Sequence, residues 1–197
     1  MRRLETCSPP PFKERRNQIF WAGSTTGILS CDISFPCTCD NVPRILFARR
    51  AKNKSWLNVS FSRTVQWCTG KDEGLRAEGL LGEKVREERW LQYRGIFDLP
   101  GNVDAWGFFW RLASGSAVFQ VDSPYVNFFS QKLQDGIHYI SLAQDLSDFD
   151  SKTSIIFEEA EASVRHLEIM ANRSKALIQN LTYLNTLAEV AGLLHPS

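Results

Sequence analysis

The stretch YRGIFDLPGNVDAWGFFWRLASGSAVFQVDS, residues 93–123, decides how the chain is read. Arg94 to Leu99 is short and apolar and ends at Pro100-Gly101, the pattern of a buried strand closed by a turn. Asn102 then stands where a helix cap belongs, ahead of a helical run from Val103 to Ala113. Gly115 closes that run, and Ala117 to Val121 is a second apolar strand. Strand, helix and strand within about thirty residues make a βαβ unit, which implies parallel strands.

The same alternation extends in both directions. Downstream, Tyr125 to Leu133 has the spacing of a short amphipathic helix and His138 to Leu142 reads as a strand. Asp145 to Asp148 opens a turn, and Ser154 to Leu194 is a long helical region with Glu158, Glu159 and Glu161 near its positive end. Upstream, residues 1–18 are polar and Pro-rich and read as a tail. Gln18 to Ala22 is a buried strand, and Gly23-Ser24-Thr25-Thr26-Gly27 is a turn of small hydroxylated residues. Pro43 to Lys52 has helical spacing with Pro in the tolerated first turn, and Trp56 to Phe61 alternates as a strand. Lys71 to Gln92 is charged and helix-friendly but broken by Gly74, Gly79 and Gly82. The expectation is an α/β fold: a Rossmann-like parallel sheet over residues 19–153, helices on both faces, and a C-terminal helical region over 154–197.

Composition narrows the function. With 23 basic against 22 acidic residues the net charge is +1, which gives no electrostatic footprint for nucleic acid. No apolar run is long enough to cross a bilayer and the Arg-rich start lacks an apolar signal core, so the reading is a cytoplasmic chain. Cys31, Cys37 and Cys39 cluster, with Cys7 and Cys68 apart; this spacing lacks a second ligand pair, so reduced cysteines are expected rather than a metal site. Sequons at Asn53, Asn58, Asn172 and Asn180 matter only in a secretory compartment. There is no G-x-S-x-G elbow and no H-E-x-x-H, which leaves a hydrolase or protease without a motif.

Ligands of such sheets bind at the carboxyl ends of strands. Two loops there have suitable chemistry. In Gly23 to Gly27, two glycines allow close backbone approach, and hydroxyls and N–H groups suit phosphate oxygens. In the second, Gly101 and Asn102 precede a helix whose N-terminus attracts anions, and Arg111 adds a guanidinium able to meet a diphosphate. Trp106 and Trp110 share a helix face, which favours the core for at least one of them. His138 is read as a packed, hydrogen-bonded residue, and Asp145, Asp148 and Asp150 as cap and turn residues rather than metal ligands.

Residues 93–123 together with FFSQKLQDGIHYISLAQDLSDF (128–149) and FWAGSTTG (20–27) resemble glycosyltransferase family 90, the capsule-associated and protein O-glucosyltransferase-like group. The shared features are Gly101 before a helix, the turn Ser114-Gly115-Ser116, the strand Val118 to Val121, Phe128-Phe129, His138-Tyr139 and the turn Asp145 to Asp148. The resemblance implies a GT-B architecture, two Rossmann-like domains with a UDP-sugar between them, of which this chain is the C-terminal half. It implies donor contacts from Gly23, Ser24, Thr25, Thr26, Gly27, Gly101, Asn102, Arg111 and Ser114. It also implies an acceptor hydroxyl on a glycan or protein, as in lipopolysaccharide or capsule synthesis, with peripheral membrane association through a lipid-linked acceptor. Neither metal nor cofactor is expected, and no catalytic residue is assigned. Ala22 replaces a frequent family Arg, Gly107 stands where members place another, and the family's first domain, with its carboxylate base, would precede Phe20. The alternatives are a non-catalytic nucleotide-sugar-binding fragment and an α/β interaction module.

Overall fold

The computed structural model describes residues 9–27, 37–103, 105 and 107–181. Five strands, β1 (Arg16–Ser24), β2 (Leu57–Arg63), β3 (Tyr93–Asp98), β4 (Ala117–Val121) and β5 (Ile140–Leu142), form one sheet in the order β2-β1-β3-β4-β5. Every neighbouring pair is parallel. The helices are α1 (Pro43–Ala51), α2 (Asp72–Ala77), α3 (Glu87–Trp90), α4 (Phe108–Ala113), α5 (Phe149–Thr153) and α6 (Glu161–Asn180). The α/β, Rossmann-like expectation is met.

Both faces of the sheet are covered, and this is why its central strands are continuous apolar runs. Phe97 meets Phe47 of α1 edge-on at 4.8 Å and stacks with Phe149 of α5 at 6.1 Å. Val118, out of phase with Phe119, packs instead with Phe108 and Leu112 of α4 and Ile178 of α6. α6 buries Val164, Leu167, Met170, Ala171, Ser174 and Ile178, a single helical face. It therefore belongs to the same layered body.

Gly95 on β3 allows a close approach of its neighbours. A Cβ there would stand 2.9 Å from Ile19 Cγ1 and 3.2 Å from both Ile156 Cδ1 and Phe119 Cε2. Gly95→Val is expected to lower stability by about 1–3 kcal/mol through overpacking. Urea denaturation checks this as a lower midpoint at unchanged slope.

Several boundaries differ from the sequence reading. Phe12 and Arg15 are buried and β1 begins at Arg16, so residues 9–15 are packed rather than a loose tail. Arg15 Nη1 donates to Gly115 O (2.7 Å) and Ser116 Oγ (2.9 Å), which ties this segment to the amino end of β4. Residues 125–133 hold only a 3-10 turn, Ser130–Lys132. The Ser123 and Ser130 hydroxyls accept the Tyr125 and Asn127 N–H groups at 3.2 and 2.9 Å, local bonds that compete with a helix. The charged run 71–92 splits into α2 and α3 because Gly79 adopts φ +72, a conformation that ends a helix. The helix expected from Asn102 begins at Phe108 instead, and the Asn102 side-chain Oδ1 accepts from Gln66 Nε2 (3.0 Å) rather than capping. The long C-terminal region opens with a 3-10 turn, Ser154–Phe157, before α6. Its continuation to Leu194 lies outside the described residues, as do Cys7, Cys31 and Trp106.

Candidate functional site

The strand order reverses between β1 and β3, since the chain leaves β1 for β2 on one side and reaches β3 on the other. Loops leaving the carboxyl ends of two such strands diverge and open a crevice. Here those loops are Ser24 to Gly27 after β1 and Leu99 to Val103 after β3.

Arg44, in the first turn of α1, spans the two loops. Nη1 donates to Ser24 O (3.1 Å) and Thr26 Oγ1 (2.5 Å), Nη2 to Leu99 O (2.7 Å) and Nε to Pro100 O (2.9 Å). Those bonds use four of the five N–H groups of a guanidinium. Its Cζ lies 5.4 Å over the Trp21 ring. Burial, and then the nearby Arg111 cation, lower its pKa to about 10 while Asp98 opposes the shift, so Arg44 is a cation at neutral pH.

The two switch-point loops need their glycines. A Cβ on Gly101 would stand 3.0 Å from Thr26 Oγ1 and 3.2 Å from Arg44 Nη2. A Cβ on Gly27 would stand 3.1 Å from Val42 Cγ1. Gly27 N donates to Gln66 Oε1 (3.0 Å), and Gln66 Nε2 in turn donates to Asn102, so one side chain links both loops. Gly23 lies over the Trp21 ring, where a Cβ would come within 2.5 Å. Thr25 is wholly buried and bonds both ways with Val65, Oγ1 donating to its carbonyl (2.9 Å) and accepting its N–H (2.8 Å). Gly23 and Thr25 thus shape the loop, while Ser24, Thr26, Gly27, Gly101 and Asn102 lie in the two loops that Arg44 and Gln66 join.

Arg111 and Ser114 are held by other partners. Arg111, 9% exposed, donates through Nη1 to Asp98, 1% exposed, in a buried ion pair. Its guanidinium packs beside Trp90 (5.0 Å) and Trp110 (5.4 Å), whose rings meet edge to face. The guanidinium is thus engaged by Asp98 and the two rings, where its place in the helix suggested an open cation. Ser114 Oγ donates to Arg111 O (2.5 Å) and accepts Ser116 N–H (3.1 Å), closing the turn at the amino end of β4, away from the crevice.

A cavity of about 590 Å³ adjoins Arg44 at the carboxyl ends of β3, β4 and β5. Arg44, Pro100 and Gly101 form one wall, and Asp122, Ser123, Tyr125, Gln144 and Asp145 the other. The volume falls within the range typical of small-molecule sites. Desolvation, reinforced by Asp135 and Asp148 and opposed by Lys152, holds the Asp122 carboxyl above its ordinary pKa.

The other sequence candidates have structural partners. Asp145 accepts Ser147 N–H (3.0 Å), and Asp148 accepts Ala143 N–H (2.9 Å) and pairs with Lys152 (2.8 Å). Asp150 pairs with Arg50 and Lys54, each at 2.5 Å. These are turn and ion-pair roles. His138 lies in the turn before β5, at the edge opposite the crevice. Its Nδ1 accepts Gln134 N–H (3.1 Å), and burial followed by Arg173 lowers its pKa.

The cysteines depart most from expectation. Cys39, just before α1, and Cys68, just after β2, form a disulfide, and Cys37 is disulfide-bonded as well. The expectation of reduced cysteines is overturned at Cys37, Cys39 and Cys68, and structural disulfides are characteristic of oxidising compartments rather than of the cytoplasm. The bond holds the start of α1, and hence Arg44, against the turn that carries Gln66. It closes a loop of 29 residues, so Cys39→Ser with Cys68→Ser is expected to reduce stability by about 3–4 kcal/mol. Denaturation with and without reductant measures this. Among the described residues no helix is long and apolar enough to cross a membrane.

No family model matches the chain. The chain is 25% identical over 149 residues to protein O-glucosyltransferase 1 of Rattus norvegicus, covering 74% of this chain and 33% of that protein. It is 23% identical over 174 residues to protein O-glucosyltransferase 1 of Homo sapiens, covering 86% and 38%. To O-glucosyltransferase LpsA of Dichelobacter nodosus it is 33% identical over 92 residues, covering 44% and 28%. The chain spans about a third of the length of these relatives, and its distant similarity to them supports a relation to the glycosyltransferases.

Proposed function

We propose that the chain forms the donor-binding part of a glycosyltransferase that takes a UDP-sugar and delivers the sugar to a hydroxyl of a glycan or protein. The observation that carries this reading is the crevice clasped by Arg44. A departing nucleoside diphosphate develops negative charge, and preorganised N–H groups, hydroxyls and a cation stabilise that charge without a metal. In this reading Ser24, Thr26, Gly27, Gly101 and Asn102 border the diphosphate. Arg44 supplies the positive field, and the cavity beside it takes the rest of the donor. The sugar's hydroxyls suit the carboxylates Asp122 and Asp145 as hydrogen-bond acceptors. The Cys39–Cys68 disulfide favours an acceptor met in an oxidising compartment over a cytoplasmic lipopolysaccharide precursor.

Calorimetric titration of UDP and of UDP-glucose into the chain tests the reading. Saturable heat with either nucleotide is expected. No heat from either, with a chain whose fold and disulfides are intact, removes the donor-site assignment. Release of UDP on adding a glycan or protein acceptor extends the result from binding to transfer.

A further inference from the structure

An oxidising compartment changes the meaning of the sequons, because the machinery that attaches N-linked glycans works in such compartments. Asn53-Lys54-Ser55 occupies the turn between α1 and β2. Asn53 and Ser55 are both exposed, and Asn53 adopts φ +67, a left-handed turn conformation that Asn tolerates. The turn is well anchored: Lys54 pairs with Asp150 at 2.5 Å and lies 5.5 Å over the Trp56 ring, and Gln18 Nε2 donates to Ser55 O at 2.8 Å. All five strands are parallel and this turn precedes β2, so it lies at the amino edge of the sheet, opposite the crevice. A bulky group there clears any ligand.

The neighbouring sequon is half-buried. The Asn58 Nδ2 on β2 donates to Tyr93 Oη (3.1 Å), and Tyr93 is fully buried. Asn58 also faces the recess lined by Gly82 to Arg86 and Arg89, so a sugar on its Nδ2 meets that segment of the chain. Asn172 and Asn180 lie on α6, where Ser174 is buried and donates to Met170 O, and Thr182 lies outside the described residues. They carry no part of the inference.

We propose that Asn53 is a site of N-linked glycosylation and that Asn58 is not. In this modification the Asn53 amide nitrogen attacks C1 of an oligosaccharide carried on a lipid diphosphate. The N–C1 bond forms, the C1–O bond to the diphosphate breaks, and the lipid diphosphate leaves with the electron pair as the amide gives up one proton. Electrons balance without any redox partner.

The test is to pass the full chain through the secretory pathway of an animal cell, release N-glycans with an amidase in heavy-oxygen water, and map labelled Asp by mass spectrometry. Label at residue 53 and none at 58 is expected. N53Q and S55A should each lose one glycan increment in electrophoretic mobility, while S55T, which keeps the sequon, retains it. Unlabelled Asn53 in a chain oxidised at Cys39–Cys68 overturns the proposal, and so does label at Asn58. Free thiols at Cys39 and Cys68 overturn it equally, since the oxidising compartment is its premise.

Discussion

Arg111→Ala is expected to destabilise the fold by about 3–5 kcal/mol, because it leaves the Asp98 carboxylate buried without its main cation. Asp98 is 1% exposed at the end of β3, where water cannot take over from the lost guanidinium. Arg44 lies close enough to sense Asp98, but four of its five N–H groups are already held by Ser24, Thr26, Leu99 and Pro100. The substitution also removes the guanidinium's contacts with the Trp90 and Trp110 rings. Chemical denaturation reads the loss. The paired variant Asp98→Asn with Arg111→Met removes both charges at once and is expected to recover most of it, since an apolar replacement of a whole buried pair is often neutral. An Arg111→Ala chain of wild-type stability with weakened nucleotide binding would place this cation in the donor site after all.

Arg44→Ala is expected to weaken UDP binding by about 2–4 kcal/mol, roughly thirty- to a thousandfold in Kd, as truncation of a buried, hydrogen-bonded cation does. Two losses act together. The crevice loses its positive charge, and the carbonyls of Ser24, Leu99 and Pro100 lose the donor that fixes their spacing. Arg44→Lys separates them: one ammonium keeps the charge but cannot reproduce the fork, so affinity between wild type and Ala is expected. Calorimetry provides the constants. Wild-type affinity in a folded Arg44→Ala chain would contradict the site.

The contrast between these two arginines marks how far the sequence could be read. The parallel sheet was visible because Ile96-Phe97 and Val118-Phe119 are short apolar runs bounded by turn residues, and such runs report burial on both faces directly. The crevice loops followed from strand ends and glycines. Which cation serves them did not. Arg111 looked available because its partner Asp98 lies thirteen residues away at the end of a strand, and their pairing is a tertiary event. In PRILFARRAK nothing sets Arg44 apart from Arg49 and Arg50, because helical spacing tells which face is apolar and not what lies beyond a first turn. A signal was present: a first-turn Arg on the helix following the β1 loop, which Pro43 helps to start. The Cys39–Cys68 bond was hidden for a related reason, since connectivity among five cysteines is not set by spacing.

The central claim is that the crevice between the β1 and β3 loops, clasped by Arg44, is where a nucleoside diphosphate binds. Backbone hydrogen exchange with and without UDP tests it most directly. Added UDP is predicted to slow exchange at residues 24–27 and 99–103 of the wild-type chain, and to leave both loops unchanged in Arg44→Ala at the same nucleotide concentration. Protection confined to the amino edge of the sheet, at Ser114 to Ser116 or the turn before β5, would contradict it.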